Sequence, residues 1–101
     1  MIGPFAFEVM TCIIDKPYDE ENYVVAIHRR MFERFGELKN SKINAVYSMI
    51  GRLEDRGLLT SVWSGYEPVS GGRRRRIFAL TDDGRAAIRE YENNTKKRAR
   101  G

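Results

Sequence analysis

The sequence has few of the residues on which disulfide frameworks, zinc centres and membrane spans depend. Its 101 residues include one cysteine, Cys12, and one histidine, His28. A single cysteine excludes an internal disulfide and is typical of a reducing compartment. One cysteine and one histidine also fall short of the roughly four ligands of a structural zinc site. No stretch approaches the roughly 18 apolar residues of a membrane span, and the apolar N-terminal run lacks the basic start of a signal peptide.

Sequence signals of catalysis are missing as well. There is no Gly-x-Gly-x-x-Gly pattern, no P-loop and no suggested nucleophile–base pair. The chain has the length of one domain, which leaves no cleft between domains for a catalytic site. We therefore expect no enzymatic activity, no catalytic residue, no metal and no cofactor.

The charge of the chain is unevenly distributed. The net charge is +4 and the sequence pI is about 9.5. Residues 1–40 carry 5 basic and 7 acidic side chains, whereas residues 41–101 carry 13 basic and 7 acidic ones. Such asymmetry suggests a polyanionic partner for the second part of the chain. On charge alone, a solvated basic surface without a partner explains the pattern equally well.

Hydrophobic spacing predicts three amphipathic helices in the first half of the chain. Apolar residues recur at helical spacing over residues 4–14, 20–35 and 42–56. Ser41 is the expected N-cap of the third helix, and Gly57 is expected to end it. This third helix would place its apolar residues on one side and short polar side chains on the other.

A basic hairpin and a fourth helix are predicted to follow. Residues 58–64 and 73–81 have strand composition, and a glycine-rich loop separates them. Thr81 is the expected N-cap of the last helix. We expect a mainly α domain with a small β-hairpin over residues 1–92, in the order helix, helix, helix, strand, basic loop, strand, helix. Residues 93–101 would form a basic flexible tail.

Two predicted elements offer contacts that suit one DNA duplex. The third helix fits a major groove of roughly 12 Å, and an arginine-rich hairpin beside it can reach phosphates or the minor groove. The helix N-terminus also favours a phosphate. The candidate DNA-binding residues are Ser41, Lys42, Asn44, Tyr47, Ser48, Arg52, Arg73, Arg74, Arg75 and Arg76. Taken singly, these residues are also explained as solvated helix and loop positions. Tyr47 borders the apolar side of the third helix and is explained as a core residue, a phosphate contact or both. Trp63 can pack beneath the hairpin or line a pocket, and we favour packing.

The motifs in order resemble the PadR family of transcriptional regulators. The matching segments are Ala45-Val46-Tyr47, Arg52-Leu53-Glu54-Asp55-Arg56-Gly57-Leu58-Leu59, Glu67-Pro68, Gly71-Gly72 with Arg73 to Arg76, and Leu80-Thr81 with Gly84-Arg85-Ala86-Ala87. The resemblance covers about residues 40–88 and is to short members that lack a large C-terminal domain. The chain departs from the family pattern at Asn44, Ile50 and Gly51, the last of which is often a charged residue in the family.

The resemblance implies a winged helix-turn-helix that binds DNA as a dimer. The third helix would be the recognition helix, and the arginine-rich loop would be the wing. The first and last helices would form the dimer, which assigns the interface to Phe5, Val9, Ile13, Ala87, Ile88 and Tyr91. A small aromatic effector at a dimer seam, near Trp63 or Tyr91, is a further implication.

Together these observations predict a sequence-specific DNA-binding transcriptional regulator. We expect a homodimeric repressor that binds double-stranded DNA, has no membrane association and resides in a bacterial-type cytoplasm at the nucleoid. The alternative is a winged-helix protein–protein interaction module without specific DNA binding, because folds of this kind are reused. Four consecutive arginines favour DNA, since a protein-binding version has no need of them.

Overall fold

Four helices and one antiparallel hairpin make up the described part of the chain. The structure, a computed structural model, describes residues 2–16, 21–36, 43–63 and 76–99. Its elements are α1 (Pro4–Ile14), α2 (Val24–Phe35), α3 (Ile43–Asp55), β1 (Leu59–Trp63), β2 (Arg76–Leu80) and α4 (Asp82–Ala99). The predicted class, mainly α with a small hairpin, is confirmed. Within these residues no helix is long and apolar enough to cross a membrane.

The second helix begins later than the sequence predicted. Helical spacing placed its start near residue 20, but α2 begins at Val24, and its N-cap Tyr23 is extended. Asn22 is buried, and its carbonyl oxygen accepts a hydrogen bond of 2.8 Å from the backbone N–H of Phe78 on β2. The segment before α2 is therefore held extended against the edge of the hairpin. Hydrophobic spacing carries no signal for this bond.

The C-terminal end of α1 is capped by side chains from elsewhere in the chain. Its last turn contains no basic residue of its own. Arg30 of α2 donates to the carbonyl oxygen of Cys12 at 3.0 Å, and Asn22 donates to that of Ile13, also at 3.0 Å. Arg30 also donates to the Asn22 side-chain oxygen at 2.5 Å. The last carbonyls of a helix lack partners within it. Arg30 and Asn22 satisfy two of them, those of Cys12 and Ile13, and Arg30 thereby joins α1 to α2.

Helix α3 ends as the sequence predicted. Gly57 has a φ of +77°, a backbone conformation that glycine adopts without strain. The N–H of Leu58 bonds the carbonyl of Leu53 at 2.9 Å, and the N–H of Gly57 bonds that of Glu54 at 3.0 Å. This pair of bonds is the Schellman motif. It turns the chain directly from α3 into β1.

The hairpin and α4 are joined to the end of α3 through Thr81. Strands β1 and β2 pair in antiparallel register from Leu59 opposite Leu80 to Trp63 opposite Arg76. The Thr81 hydroxyl accepts from the Gly84 N–H at 3.0 Å, which confirms the predicted N-cap, and donates to the Gly57 carbonyl at 2.7 Å.

Helix α4 extends further than the sequence predicted. It continues as far as Ala99, beyond residue 93, where the flexible tail was expected to begin. The segment expected to be a flexible tail is therefore helical as far as Ala99. The polar composition of this stretch predicts an end to the helix, but most of its residues, such as lysine, arginine and alanine, are compatible with helix.

All four helices and the hairpin contribute to one core. Val9, Met10, Ile27, Val46 and Leu53 are fully buried at its centre. Three residues that the sequence assigned to a dimer interface also belong to this core, namely Val9, Ile13 and Ile88, with exposures of 0%, 3% and 6%. Their side chains are covered by the chain itself. In this conformation they offer no surface to a partner, which corrects that part of the assignment.

Candidate nucleic-acid interface

One face of α3 is exposed and carries short polar side chains. Val46, Ile50 and Leu53 are buried, as the helical pattern predicted. Asn44 and Ser48 lie one turn apart on the opposite face, and both are exposed. Small side chains let a helix backbone approach a groove closely, and amide and hydroxyl groups can bond base edges or phosphates.

A positive charge follows these polar residues along the same face. Arg52 lies one turn beyond Ser48, is exposed and stands in the last turn of α3. Asp55 is the last residue of the helix and is also exposed. The polar face is therefore uncharged at its start and carries one charge of each sign at its end. Its own charge is too small to give strong non-specific binding, which depends on the number of phosphates neutralised.

Tyr47 lies at the border between this polar face and the hairpin. Its side chain is 52% exposed. Together with Gly51 and Glu54 it forms the side of α3 that faces the hairpin across an open cavity. The opposite wall includes Trp63, which is 57% exposed. Trp63 thus lines a cavity instead of packing beneath the hairpin, contrary to the expectation from the sequence.

Arg76 joins the loop end of the paired strands to α3. It donates to both carboxylate oxygens of Glu54, at 2.7 and 2.8 Å, and to the Ser61 hydroxyl at 2.6 Å. Ser61 in turn donates to Glu54 at 2.5 Å. The Arg76 guanidinium also lies 5.9 Å from the centre of the Trp63 ring and 5.4 Å from that of Phe78. These bonds hold the guanidinium beside α3, so in this conformation the charge predicted to contact phosphate is engaged within the chain.

The remaining predicted DNA contacts lie outside the described residues. These are Ser41, Lys42, Arg73, Arg74 and Arg75. The described residues Asn44, Tyr47, Ser48 and Arg52 lie together on α3. The structure therefore places the predicted contacts of the third helix on its accessible side, with the first residue of β2 beside it.

The rest of the predicted dimer surface lies where α1 meets α4. Phe5, Ala87 and Tyr91 are half-buried and pack against the core. The ring of Tyr91 stacks on that of Phe7, with centroids 4.3 Å apart and an angle of 24° between the planes. Stacking of this kind holds α4 on α1. Tyr91 thus has a structural role within the chain in addition to its predicted place at a dimer surface.

Neither Cys12 nor a cluster of metal-binding side chains suggests chemistry at this interface. Within residues 2–16, 21–36, 43–63 and 76–99, no group of three or more histidine, cysteine or acidic residues could hold a metal ion. Burial raises the pKa of the Cys12 thiol, against the opposing effect of Arg34, whose guanidinium lies 3.7 Å from the sulfur. A thiol held in its protonated form is a poor nucleophile.

Sequence reasoning missed the residues that connect the elements. Glu54 and Arg76 are separated by 22 positions, and nothing in the local pattern of either pairs them. The same holds for Asn22 and Arg30, whose buried partners lie on α1. The only available signal was the placement of an arginine within the otherwise buried pattern of α2.

Comparison with known proteins adds a family and a fold. A family model described as the transcriptional regulator PadR-like family matches residues 13–90. A PadR family transcription regulator from Clostridium difficile R20291 has a TM-score of 0.75 and 19% identity, over 97% of this chain and 93% of that one. A PadR family transcriptional regulator from Eggerthella lenta DSM 2243 has a TM-score of 0.75 and 24% identity, over 96% and 76%. No curated protein matches the sequence.

One similar structure was solved with DNA. Bacillus subtilis PadR in complex with operator DNA has a TM-score of 0.69 and 16% identity, and the match covers 87% of this chain and 46% of that one. The chain therefore spans less than half of that protein. At these identities the likeness establishes the winged-helix fold of the described residues.

Proposed function

The chain belongs to the PadR-like family of transcriptional regulators, and we propose that it binds a specific double-stranded DNA site through the exposed face of α3. One observation carries the proposal. Asn44, Ser48 and Arg52 follow one another along an accessible helix face, beside the loop end of the hairpin strands, where Arg76 lies. At 1.5 Å per residue, α3 is about 20 Å long, which suits a major groove.

The arginine-rich wing supplies the second contact of the proposal. Residues 73–75 continue the chain immediately before β2, which begins next to α3. Arginines at this position can neutralise phosphates on either side of the groove that α3 occupies. Wing contacts of this type are independent of sequence, so they add affinity to every duplex while α3 discriminates between sites.

A homodimer is part of the proposal. Two copies would place two α3 helices in successive major grooves, about 34–36 Å apart. Phe5, Ala87 and Tyr91 remain partly accessible along α1 and α4 and are available to a second copy. Repression would then be steric, through occupation of the operator. If sedimentation at micromolar concentration shows only an 11.7 kDa species, the dimer is excluded.

Selection of bound sites from random duplex DNA tests the function most directly. A specific dimer is expected to enrich an inverted repeat, whose spacing reports the dimer geometry.

Variants then separate the two kinds of contact. Asn44→Ala and Ser48→Ala should lose about 1–3 kcal/mol of binding free energy on the selected site only, provided that the side chains contact bases. Arg74→Ala and Arg75→Ala should weaken binding to all sequences alike. Arg89→Ala, at an exposed position of α4, is the matched control and should change neither affinity.

The competing function is a winged-helix module that binds protein. Absence of retention on heparin and on random duplex at low salt would favour it over DNA binding. The two roles would be refuted if both sets of variants lost the same affinity on random and on selected DNA. In that case α3 would not discriminate between sites any more than the wing does.

Three further elements of the sequence interpretation belong to the proposal. Residues 1–92 would form the DNA-binding unit with its dimerisation helices, and the protein would reside in the cytoplasm at the nucleoid. An effector at a dimer seam would have to use the accessible edge of Tyr91, because the Tyr91 ring is already stacked on Phe7. Crosslinking of the dimer in the presence of candidate ligands tests that seam.

A further inference from the structure

The C-terminal part of α4 extends beyond the core of the domain. Ile88, Tyr91 and Thr95 lie on one side of this helix, because they are spaced at intervals of three and four residues. Ile88 is buried and Tyr91 is half-buried, whereas Thr95 is exposed. The contact between this side of α4 and the core therefore ends before Thr95. The helix continues to Ala99, which lies about 12 Å further along the helix axis than Tyr91.

The charge of α4 changes sign where the helix leaves the core. Residues 82–92 include four acidic and two basic side chains, whereas residues 93–101 include four basic side chains and no acidic one. Three of these basic residues lie in the last turn of the helix, and we call them the basic end of α4: Lys96, Lys97 and Arg98. Glu92, one turn before Lys96, is the nearest acidic residue in the sequence and can offset one of their charges.

The helix dipole is the competing, structural explanation of the basic end. Cations in the last turn of a helix are stabilised by the negative end of this dipole, which amounts to about half an elementary charge. The basic end carries three positive charges. The dipole and Glu92 together therefore offset only about half of that charge, and the remainder is available to a partner of opposite sign.

The composition around the basic end favours a nucleic acid over a membrane surface as that partner. A helix that lies on a membrane needs a wide apolar face. Residues 92–101 contain no aromatic residue, and their one apolar side chain is that of Ala99. Blocks of basic residues without apolar neighbours are typical of segments that contact nucleic-acid phosphates. Duplex DNA is also the polyanion that the rest of the chain is proposed to bind.

We propose that the basic end of α4 binds the phosphate backbone of duplex DNA independently of base sequence. This contact is additional to those of α3 and the wing, and the helix that carries it is anchored to the core through Ile88 and Tyr91. Three charges can neutralise up to three phosphates, so the contact adds affinity to every duplex and does not discriminate between sites. The inference rests on the proposed function for its partner, but it does not require α3 to recognise a specific sequence.

Removing the charges while keeping the helix tests this contact. In the full chain, Lys96→Gln, Lys97→Gln and Arg98→Gln are combined, because glutamine has a helix propensity similar to that of lysine and arginine. Affinity for a random duplex is measured by anisotropy across a salt series. The slope of log affinity against log salt should decrease in magnitude by about 1.8–2.7, as expected for two or three phosphates, and affinity at low salt should fall at least about tenfold. An unchanged slope overturns the proposal.

Two control variants separate phosphate contact from net charge. Lys96→Arg combined with Lys97→Arg keeps every charge of the basic end and should keep the slope within about 0.5 of the native value. Arg29→Gln combined with Arg89→Gln removes two exposed charges elsewhere on the surface and should also leave the slope nearly unchanged. If this second control lowers the slope as much per charge as the glutamine variant does, net charge alone explains the effect and the proposal is overturned.

Urea denaturation and circular dichroism of the glutamine variant test the structural explanation. If the basic end serves only to stabilise the helix, the variant loses helix content or denatures at lower urea, and its salt slope matches that of the native chain. That result overturns the proposal. A decreased slope in a variant that keeps the native helix content supports it, because the charges then act on the duplex and not on the fold.

Anionic vesicles test the competing partner, and the selected DNA site tests the proposed function separately. Tighter binding to vesicles of phosphatidylglycerol and phosphatidylcholine than to duplex, lost in the glutamine variant, would assign the basic end to a membrane and overturn the proposal. Equal affinity of the native chain for selected and random duplex would refute sequence-specific binding by α3 and leave the role of the basic end standing. An unchanged slope with discrimination preserved would refute only the basic end.

Discussion

The guanidinium of Arg76 contacts both carboxylate oxygens of Glu54, at 2.7 and 2.8 Å. Ser61 on the neighbouring strand completes the group by bonding to both. The first residue of β2 is thereby attached to α3, so this strand begins beside the candidate recognition helix. The same contacts neutralise a positive charge that lies close to the proposed DNA surface.

Replacing Glu54 should strengthen non-specific DNA binding. In Glu54→Gln the side chain keeps its size and can still bond Ser61, but it no longer neutralises Arg76. The released guanidinium can then neutralise one more phosphate. The slope of log affinity against log salt should steepen by about 0.9, as expected for one phosphate. Affinity for random duplex, measured by anisotropy across a salt series, should rise.

Arg76→Met is the control for that experiment. Because the charge of Arg76 is already engaged by Glu54, its loss should leave the salt slope nearly unchanged, whereas Arg74→Ala should reduce it by about 0.9. If Arg76→Met reduces the salt slope as much as Arg74→Ala does, Arg76 contacts phosphate in the complex.

Two glycine-to-alanine substitutions in helices should have opposite effects on stability. At Gly84 an added Cβ would lie 2.2 Å from the backbone oxygen of Leu58, and backbone cannot move aside cheaply. Gly84→Ala should therefore lower the free energy of unfolding by about 1–3 kcal/mol or more. Gly51→Ala meets open space and should raise it by about 0.5–1 kcal/mol. Urea denaturation measures both, and a similar effect at the two positions would contradict the close approach of α4 to Leu58.

Arg30 should be a principal polar determinant of stability. It is 6% exposed and caps the carbonyl of Cys12. Arg30→Met leaves that carbonyl and the Asn22 oxygen without their donor and should cost about 2–4 kcal/mol. Arg29→Met is the matched control, since Arg29 is exposed and its ion pair of 3.9 Å with Glu33 lies at the surface. It should change stability by less than about 0.5 kcal/mol. Equal effects of the two substitutions on the denaturation midpoint would refute the capping role.

The pKa of the Cys12 thiol should make it slow to react and should link stability to alkaline pH. Burial raises this pKa in the folded chain, so the unfolded chain loses the thiol proton at lower pH. The stabilisation is complete below the ordinary cysteine pKa of about 8.5 and is lost as pH rises from there through the folded pKa. Stability of the native chain relative to Cys12→Ala should therefore decline above about pH 8.5. Iodoacetamide should modify Cys12 rapidly only in denaturant, and rapid labelling of the folded chain would contradict its burial.

Local sequence was sufficient for most of the secondary structure. The bounds of α1, the glycine end of α3 and the threonine cap of α4 follow from residues within one or two turns of each boundary. The exposed face of α3 also follows from helical spacing alone, because 3.6 residues per turn decides which side chains share a side. The family resemblance likewise rested on motifs that are continuous in the chain.

The boundaries that the sequence placed wrongly depend on distant partners or on a weak signal. The start of α2 is displaced because Asn22 bonds to β2 and to α1. The end of α4 was misplaced because its polar residues carry no apolar stripe, although most of them are compatible with helix.

Side-chain partnerships across the fold were decided only by the tertiary structure. Helical spacing marks Val9 and Ile88 as apolar but cannot say whether the chain itself or a second copy covers them, and the fold buries both. The sequence presents Arg76 as one of four equivalent arginines, whereas the fold brings Arg76 alone among the described residues of that run to Glu54. Composition and periodicity thus predicted the helices, the basic hairpin and a DNA-binding candidate, and the family resemblance added the winged helix-turn-helix. Contacts between residues far apart in the chain decided which charges remain available to DNA and where a cavity stays open.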